Sequence, residues 1–578
     1  MSDIANILAG SRRYLLAGAP EGLDARVLAE LASAADGWLV HVARDDARMA
    51  LLAEAVAFFA PTAEILQFPA WDTVPYDRVS PHGDISARRM DVLSRLAEGQ
   101  AAAEDRPRLL ITTVNAALQR LPPREVLASA SLRLAVGGQV DLDALNGFLT
   151  RNGYARTGTV MEPGEYAQRG GILDIFPPGA ETPLRLDFFG DTLESVRVFD
   201  PLSQRTTGSA RRIELVPVSE VLLTEETVSR FRRGYRALFG AVVDDDPLYA
   251  AISEARKQAG MEHWLPLFYE RLENVFDYLP DAALTVDNLV AEALEDRLAQ
   301  VRDYYDARLS ALNAGNFGGA PPYKPVPPEQ LYLSAEDWQA AVEGRPGGTF
   351  SPYAAPAEAG VVDFGGKPGR NFAAERAQSE VNVFDALLAR IAAAQRERQR
   401  VVIACYTEGS AERMRMVLAD HGMEALQRAA DWPAAAALPA DVAALSVLGV
   451  ENGFETPDLL LIGEQDVLGD RMVRKRRRSR RAEDFISEAA QLSAGDLVVH
   501  VEHGIGRYDV LTIIEVGGAP HDCLTLEYAG GDRLYVPVEN IEVLSRYGSD
   551  EAGAQLDKLG GAGWQARKAR LKERIREI

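Results

Sequence analysis

Hydrophobic and polar positions change rhythm several times along the chain. In residues 1–125, short apolar runs at 14–17, 38–42 and 109–112 are each followed by a stretch of helical period. The helical stretches include 24–32 and 115–121. Strand then helix, repeated, predicts a largely parallel sheet with both faces covered. From about 126 to 215, apolar and polar residues alternate in short runs separated by turn dipeptides. That pattern predicts an antiparallel, half-exposed sheet. Helical periodicity returns in 216–310, notably at 221–239 and 290–312.

Gly and Pro crowd residues 313–328, which read as a linker, and GGKPGR at 365–370 is a second boundary. A further α/β pattern covers 371–465, with a helix at 373–398, a strand at 401–405, a helix at 410–421 and a strand at 459–462. Residues 494–545 then read as five short strands with Gly turns, the pattern of a small barrel. The last stretch, GWQARKARLKERIREI, is helical and has no terminating Gly, Asn or Pro, so a longer protein is expected.

Composition narrows the class. The 578 residues are 47% hydrophobic and 25% charged, an ordinary globular balance for about four domains. The net charge of −23 repels phosphates, so non-specific DNA affinity is not expected of the chain as a whole. Cys405 and Cys523 lie far apart and make neither a disulfide framework nor a zinc motif. There is no signal-peptide pattern and no apolar run of about 18 residues, so a cytoplasmic protein is expected, with no membrane partner.

Catalytic chemistry is hard to find. The first strand runs into Gly18-Ala19-Pro20-Glu21-Gly22-Leu23-Asp24-Ala25, the place of a phosphate-binding loop. That loop needs G-x-x-x-x-G-K-[ST], whose amides, Lys and hydroxyl hold phosphates and magnesium. Here Leu23, Asp24 and Ala25 stand at the last three positions, and Asp24 would set a negative charge against a triphosphate. An ordinary strand-to-helix turn is the simpler reading. Gly365-Gly366-Lys367 lacks the leading spacing, and Gly463-Glu464-Gln465-Asp466 reads as a solvated turn. His500 and His503, three apart in a strand, point to opposite faces, which argues against a metal site. The run 471–481 holds eight basic residues in eleven, without aromatics and followed by Glu483, Asp484 and Glu488. A solvated linker fits it better than a nucleic-acid site.

The most informative stretch is 164–206. In LRLDFF, Leu184, Leu186 and Phe188 share one face, and Arg185, Asp187 and Phe189 the other. Gly190-Asp191 turns the chain, and Val196 and Val198 can rejoin the apolar face. An exposed Phe beside an Arg is the make-up of a protein-binding hot spot. Alternation alone leaves equally open that Phe189 is covered within its own domain.

This stretch closely resembles the domain shared by the excision-repair protein UvrB and the transcription-repair coupling factors (Mfd). The resemblance implies docking onto UvrA, through Arg169 in YAQRGG and through Arg185 and Phe189 in LRLDFF. UvrB itself has an intact phosphate loop and an aromatic hairpin; FPAWDTVPYDRVSPHGDISARRMDVL at 68–93 resembles the coupling factors instead. ITTVNAALQRL at 111–121 and GMEHWLPLF at 260–268 also resemble them. Residues 495–547 resemble the RNA-polymerase-interaction domain shared with CarD-type factors, which implies a Tudor-like barrel pairing with the polymerase β subunit. Edge-strand addition would give backbone hydrogen bonds, with 523–528 as the strand and Leu524, Thr525 and Leu526 as candidates. Leu524 and Leu526 share a face, and at least one of them reads as core. The stretch from Lys558 to Trp564 resembles the entry to the family's translocase.

The expected architecture is therefore multidomain α/β and α+β. It comprises a degenerate P-loop-type α/β domain (1–125, continued in 216–345) with an inserted antiparallel domain (126–215). A further α/β domain (366–465), a basic linker (466–490), a C-terminal Tudor-like small β-barrel (491–550) and the start of a translocase (551–578) follow. The resemblance implies a docking region for stalled RNA polymerase and UvrA, with the UvrA face masked in the resting full-length protein. It places ATP, magnesium and most DNA contact in a motor beyond these residues, and no cofactor in them. Two rivals remain: a UvrB-type nucleotide-dependent DNA-binding protein, which ATP binding by residues 1–350 would favour, and a CarD-type regulator with a scaffold attached.

Overall fold

The structure, a computed structural model, describes residues 2–10, 12–97, 106–242, 246–314, 323–378, 382–469, 497–500, 503–516, 519–537, 544–546 and 556–559. The basic run, the acidic residues after it, Glu502 and the terminal helix expected from Trp564 onward lie outside the described residues. The chain forms two units, Met1–Leu309 with Lys324–Arg471, and Ser310–Tyr323 with Met472–Ile578.

In the first unit, a seven-stranded parallel sheet runs in the order Val361–Asp363, Arg13–Ala17, Gly347–Phe350, Ala283–Val286, Trp38–Ala43, Arg108–Thr113, Glu64–Phe68. Its central strands are apolar on both faces because helices cover both. Three of the seven strands come from beyond residue 280. The helix Asp46–Phe59 starts at Asp45, whose carboxylate accepts the Arg48 amide, and Leu23–Ala34 packs beside it. The expected helix at 221–239 begins at Glu225, where Thr224 supplies a capping box.

The expected helix at 373–398 is not continuous. It is Ala373–Arg376 followed by Val383–Arg396, the second capped by Asn382. Asn favours such a cap over a helix interior. The further α/β segment forms a six-stranded sheet, Lys367–Pro368, Phe454–Glu455, Leu459–Gly463, Arg400–Cys405, Ala443–Val447, Leu426–Arg428. Phe454–Glu455 runs antiparallel to both its neighbours, and the other pairings are parallel. One face shares a core with the first sheet's helices, where Phe454, Leu461 and Val402 meet Leu23, Ala25 and Phe59. Glu464 and Asp466 are not in a solvated turn. Both are buried at the start of the helix Glu464–Leu468. Asp466 accepts the amides of Gly453 and Gly463, each at 2.8 Å, and Glu464 accepts that of Tyr406. A carboxylate at a helix start finds backbone donors and need not stay in water.

Two histidines are buried in this unit. His41 contacts Thr285 Oγ1 at 3.0 Å, and His263 lies edge-on to Trp71. Burial pushes both down to about 3. A folded-state value below the unfolded one means the stability is complete above pH 6.5 and is lost as pH falls toward 3. Each should cost about 1.4 kcal/mol per pH unit in that window. His263→Leu is expected to flatten the fall in urea midpoint between pH 7 and 5 by about half of the two-histidine slope. An unchanged slope in the variant would show that His263 titrates normally.

The second unit holds a five-stranded antiparallel sheet, in the order Arg533–Pro537, Ala519–Glu527, Gly504–Val516, Leu497–His500, Leu544–Arg546. Val498, Tyr508, Leu524, Leu526, Tyr528 and Val536 form its core. His500 and His503 do not diverge. The strand ends at His500, and the two rings lie 4.6 Å apart. The alternation rule fails because His503 lies beyond the strand. Among the described residues, no group of three or more His, Cys, Asp or Glu is placed to hold a metal ion. No helix among them is long and apolar enough to cross a membrane.

Candidate protein-docking site

The alternating segment folds into a six-stranded sheet, Thr206–Ala210, Thr192–Phe199, Leu184–Phe189, Ile172–Ile175, Glu165–Arg169, Ala155–Arg156. Leu186 pairs with Leu173 on one side and Val196 on the other, and all three are buried with Ile175, Leu149 and Leu145. Leu184 and Phe188 pack against that core, as alternation requires. Gly190 alone of the two turn residues has positive φ, +58°, the pattern of a type II′ hairpin. The neighbouring hairpin turns at Gly170-Gly171, with Arg169 paired to Ile172. Gly171 is pressed against its neighbour: its carbonyl accepts the Phe188 amide at 2.8 Å, and a Cβ there would lie 2.7 Å from the Phe188 oxygen. Two hairpin tips are thus held side by side.

At those tips Phe189 is 76% exposed and Ile172 40% exposed. This settles the alternative left by alternation: Phe189 is not covered by another element of its domain. Arg169 is exposed and donates to the Gly158 carbonyl. Arg185 is placed differently. It forms a two-point ion pair with the buried Asp174, at 2.6 and 2.8 Å, and its guanidinium lies 4.8 Å over Phe199. Asp187 is likewise taken, accepting from Ser195 at 2.7 Å and from Arg197 Nε at 2.9 Å. The face therefore offers an apolar tip beside already paired charges. Such pairs shape a surface and orient a partner more than they add raw affinity.

The turn at Gly18–Ala25 has its own geometry. Asp24 is buried, and its Oδ1 accepts the amides of Gly22 and Ala25 at 3.0 and 2.7 Å. Its other oxygen pairs with Arg48, which also reaches Asp287 at 3.3 Å. Burial raises the Asp24 pKa, while Arg48 lowers it. Phe454 packs within 3.0 Å of where a Gly22 Cβ would stand. Two amides of the turn are thus engaged by a side chain of the same loop.

In the second unit, Leu524, Thr525 and Leu526 are all buried. Their strand, Ala519–Glu527, is paired on both sides and is not an edge. The edges among the described residues are Arg533–Pro537 and Leu544–Arg546. Sequence pattern shows which residues form a strand but not its neighbours. Tyr535 is 46% exposed on the first of these edges.

The separate sheets define a multidomain α/β protein, one sheet of which presents an exposed apolar hairpin tip. Residues 132–221 match the UvrB interaction domain, and residues 492–548 match the CarD-like/TRCF RID domain. Over nearly its whole length the chain is a relative of the transcription-repair-coupling factors. It is 33% identical to that of Rickettsia bellii over 528 residues, covering 90% of this chain and 44% of the relative. Against that of Escherichia coli the identity is 32%, covering 99% of this chain and 48% of the relative. For Myxococcus xanthus the figures are 33%, 99% and 49%. The chain spans about half the length of the curated relatives it matches.

Proposed function

We propose that these residues are the docking region of a transcription-repair coupling factor. They hold RNA polymerase stalled at DNA damage and bring UvrA to it. ATP-driven removal of the polymerase, with its nucleotide and magnesium, belongs to a motor beyond these residues. The observation that carries the reading is the pair of matched modules on one chain, one of which presents Phe189 at an exposed hairpin tip. UvrA is taken to contact Arg169 and Phe189 directly, with Arg185 setting the surface beside them. The second module is taken to be a Tudor-like barrel that pairs with the polymerase β subunit through the edge Arg533–Pro537. In that arrangement Leu524, Thr525 and Leu526 pack the barrel behind the edge. The engaged Asp24 favours this reading over a nucleotide-dependent UvrB-type protein.

The two interactions should separate. Immobilised UvrA and immobilised RNA polymerase are each expected to capture the chain. Removing residues 492–548 should abolish capture by polymerase and leave capture by UvrA. Polymerase capture that survives the deletion would remove the assignment of the second module.

A further inference from the structure

The antiparallel sheet has a second exposed feature, away from the hairpin tips. Among the described residues its outermost strand, Thr206–Ala210, pairs on one side only, with Thr192–Phe199. Thr206 to Ser209 are exposed and Ala210 is half-buried. An open edge is a ready template for another strand, and proteins usually blunt it with Lys, Pro or an inward charge. TTGSA has none of these. A bulge at Thr207, where the register passes from Val198–Gly208 to Phe199–Thr206, bends only the start of the strand.

The charged residues that directly flank the strand in sequence have one sign. Arg205, Arg211 and Arg212 flank the strand, are exposed, and form no ion pair with any described residue. In a chain of net charge −23, three unpartnered arginines bracketing five uncharged residues are a local reversal. On the two strands next to it in the sheet the arginines are engaged, Arg185 by Asp174 and Arg197 by Asp187. The bare backbone supplies hydrogen bonds, and the arginines select for acid at both ends of whatever adds to it.

We propose that Thr206–Ala210 is a docking edge that takes an extended, acidic segment of a partner protein as a seventh strand of this sheet. The surface is distinct from the Phe189 tip and extends the proposed function to a further contact.

The probe is a fluorescein-labelled octapeptide of alternating glutamate and valine, titrated with the full chain and read by anisotropy. Saturable binding is expected, with slowed amide exchange in residues 206–210. The variant Arg205→Glu/Arg211→Glu/Arg212→Glu should weaken binding by about tenfold or more, since every substituted side chain is on the surface and each attraction becomes a repulsion. The same peptide N-methylated at every residue, which keeps the charge and removes the donors of both edges, should lose binding. No saturable binding of the parent peptide would overturn the proposal. So would undiminished binding of the N-methylated peptide or by the triple variant.

Discussion

Glu220→Ala is expected to cost about 3–5 kcal/mol of stability, read as a lowered urea midpoint, because it strands a buried cation. Arg89 is fully buried and Glu220 nearly so. Their two-point pair has N–O distances of 2.6 and 3.1 Å. Trp71 Nε1 donates to the same carboxylate at 2.9 Å, and Arg89 also donates to the Pro69 carbonyl at 2.8 Å. The guanidinium lies 4.4 Å over the Phe68 ring. The clasp joins the helix Gly83–Ala97 to the segment leaving the antiparallel domain, which Tyr269 also fastens through the Glu220 carbonyl. Loss of one partner leaves the other charged in a dry site, whereas apolar replacement of both removes the desolvation cost with the attraction. Arg89→Met/Glu220→Leu should therefore recover most of what Glu220→Ala loses. A single-variant cost under about 1 kcal/mol would show that water reaches the pair.

That clasp also shows where sequence reading stops. Arg89 and Glu220 are 131 residues apart, and nothing local to either marks the other. Local rules did well where the physics is local. The strands at 38–42 and 109–112, the hairpin turn at Gly190 and the apolar set Leu184, Leu186 and Phe188 all follow from period and turn chemistry. Order within a sheet is not local. Ala283–Val286 enters the middle of the first sheet, and the strand carrying Leu524 lies inside its sheet when an edge was expected. Parallel neighbours need no short connection, so spacing along the chain says nothing of which strands meet. Alternation placed Arg185 and Phe189 on one face, and they do share it. It could not tell that Asp174, on the adjacent strand, already holds Arg185.

This division between Arg185 and Phe189 yields the second large effect. Phe189→Ala should weaken UvrA binding by about 2 kcal/mol or more, roughly 30-fold, as the loss of a central aromatic anchor does. It should leave the melting temperature unchanged, because the ring is 76% exposed and adds little to the domain's core. Arg185→Ala should lower both affinity and stability. The buried Asp174 loses its partner, and an unsatisfied buried carboxylate costs about 1–3 kcal/mol or more. The two variants, measured side by side by calorimetric titration with UvrA and by thermal melting, separate contact from support. Binding by the isolated chain is expected without prior activation, since the face stands open at its tip. The assignment of this face fails if the chain does not bind UvrA, or if Arg185→Ala/Phe189→Ala binds as well as the parent. Should Phe189→Ala alone be neutral while Arg185→Ala weakens binding in proportion to lost stability, the hairpin tip is not the anchor. The contact would then have to be sought along the paired charges of Asp174, Asp187 and Arg197.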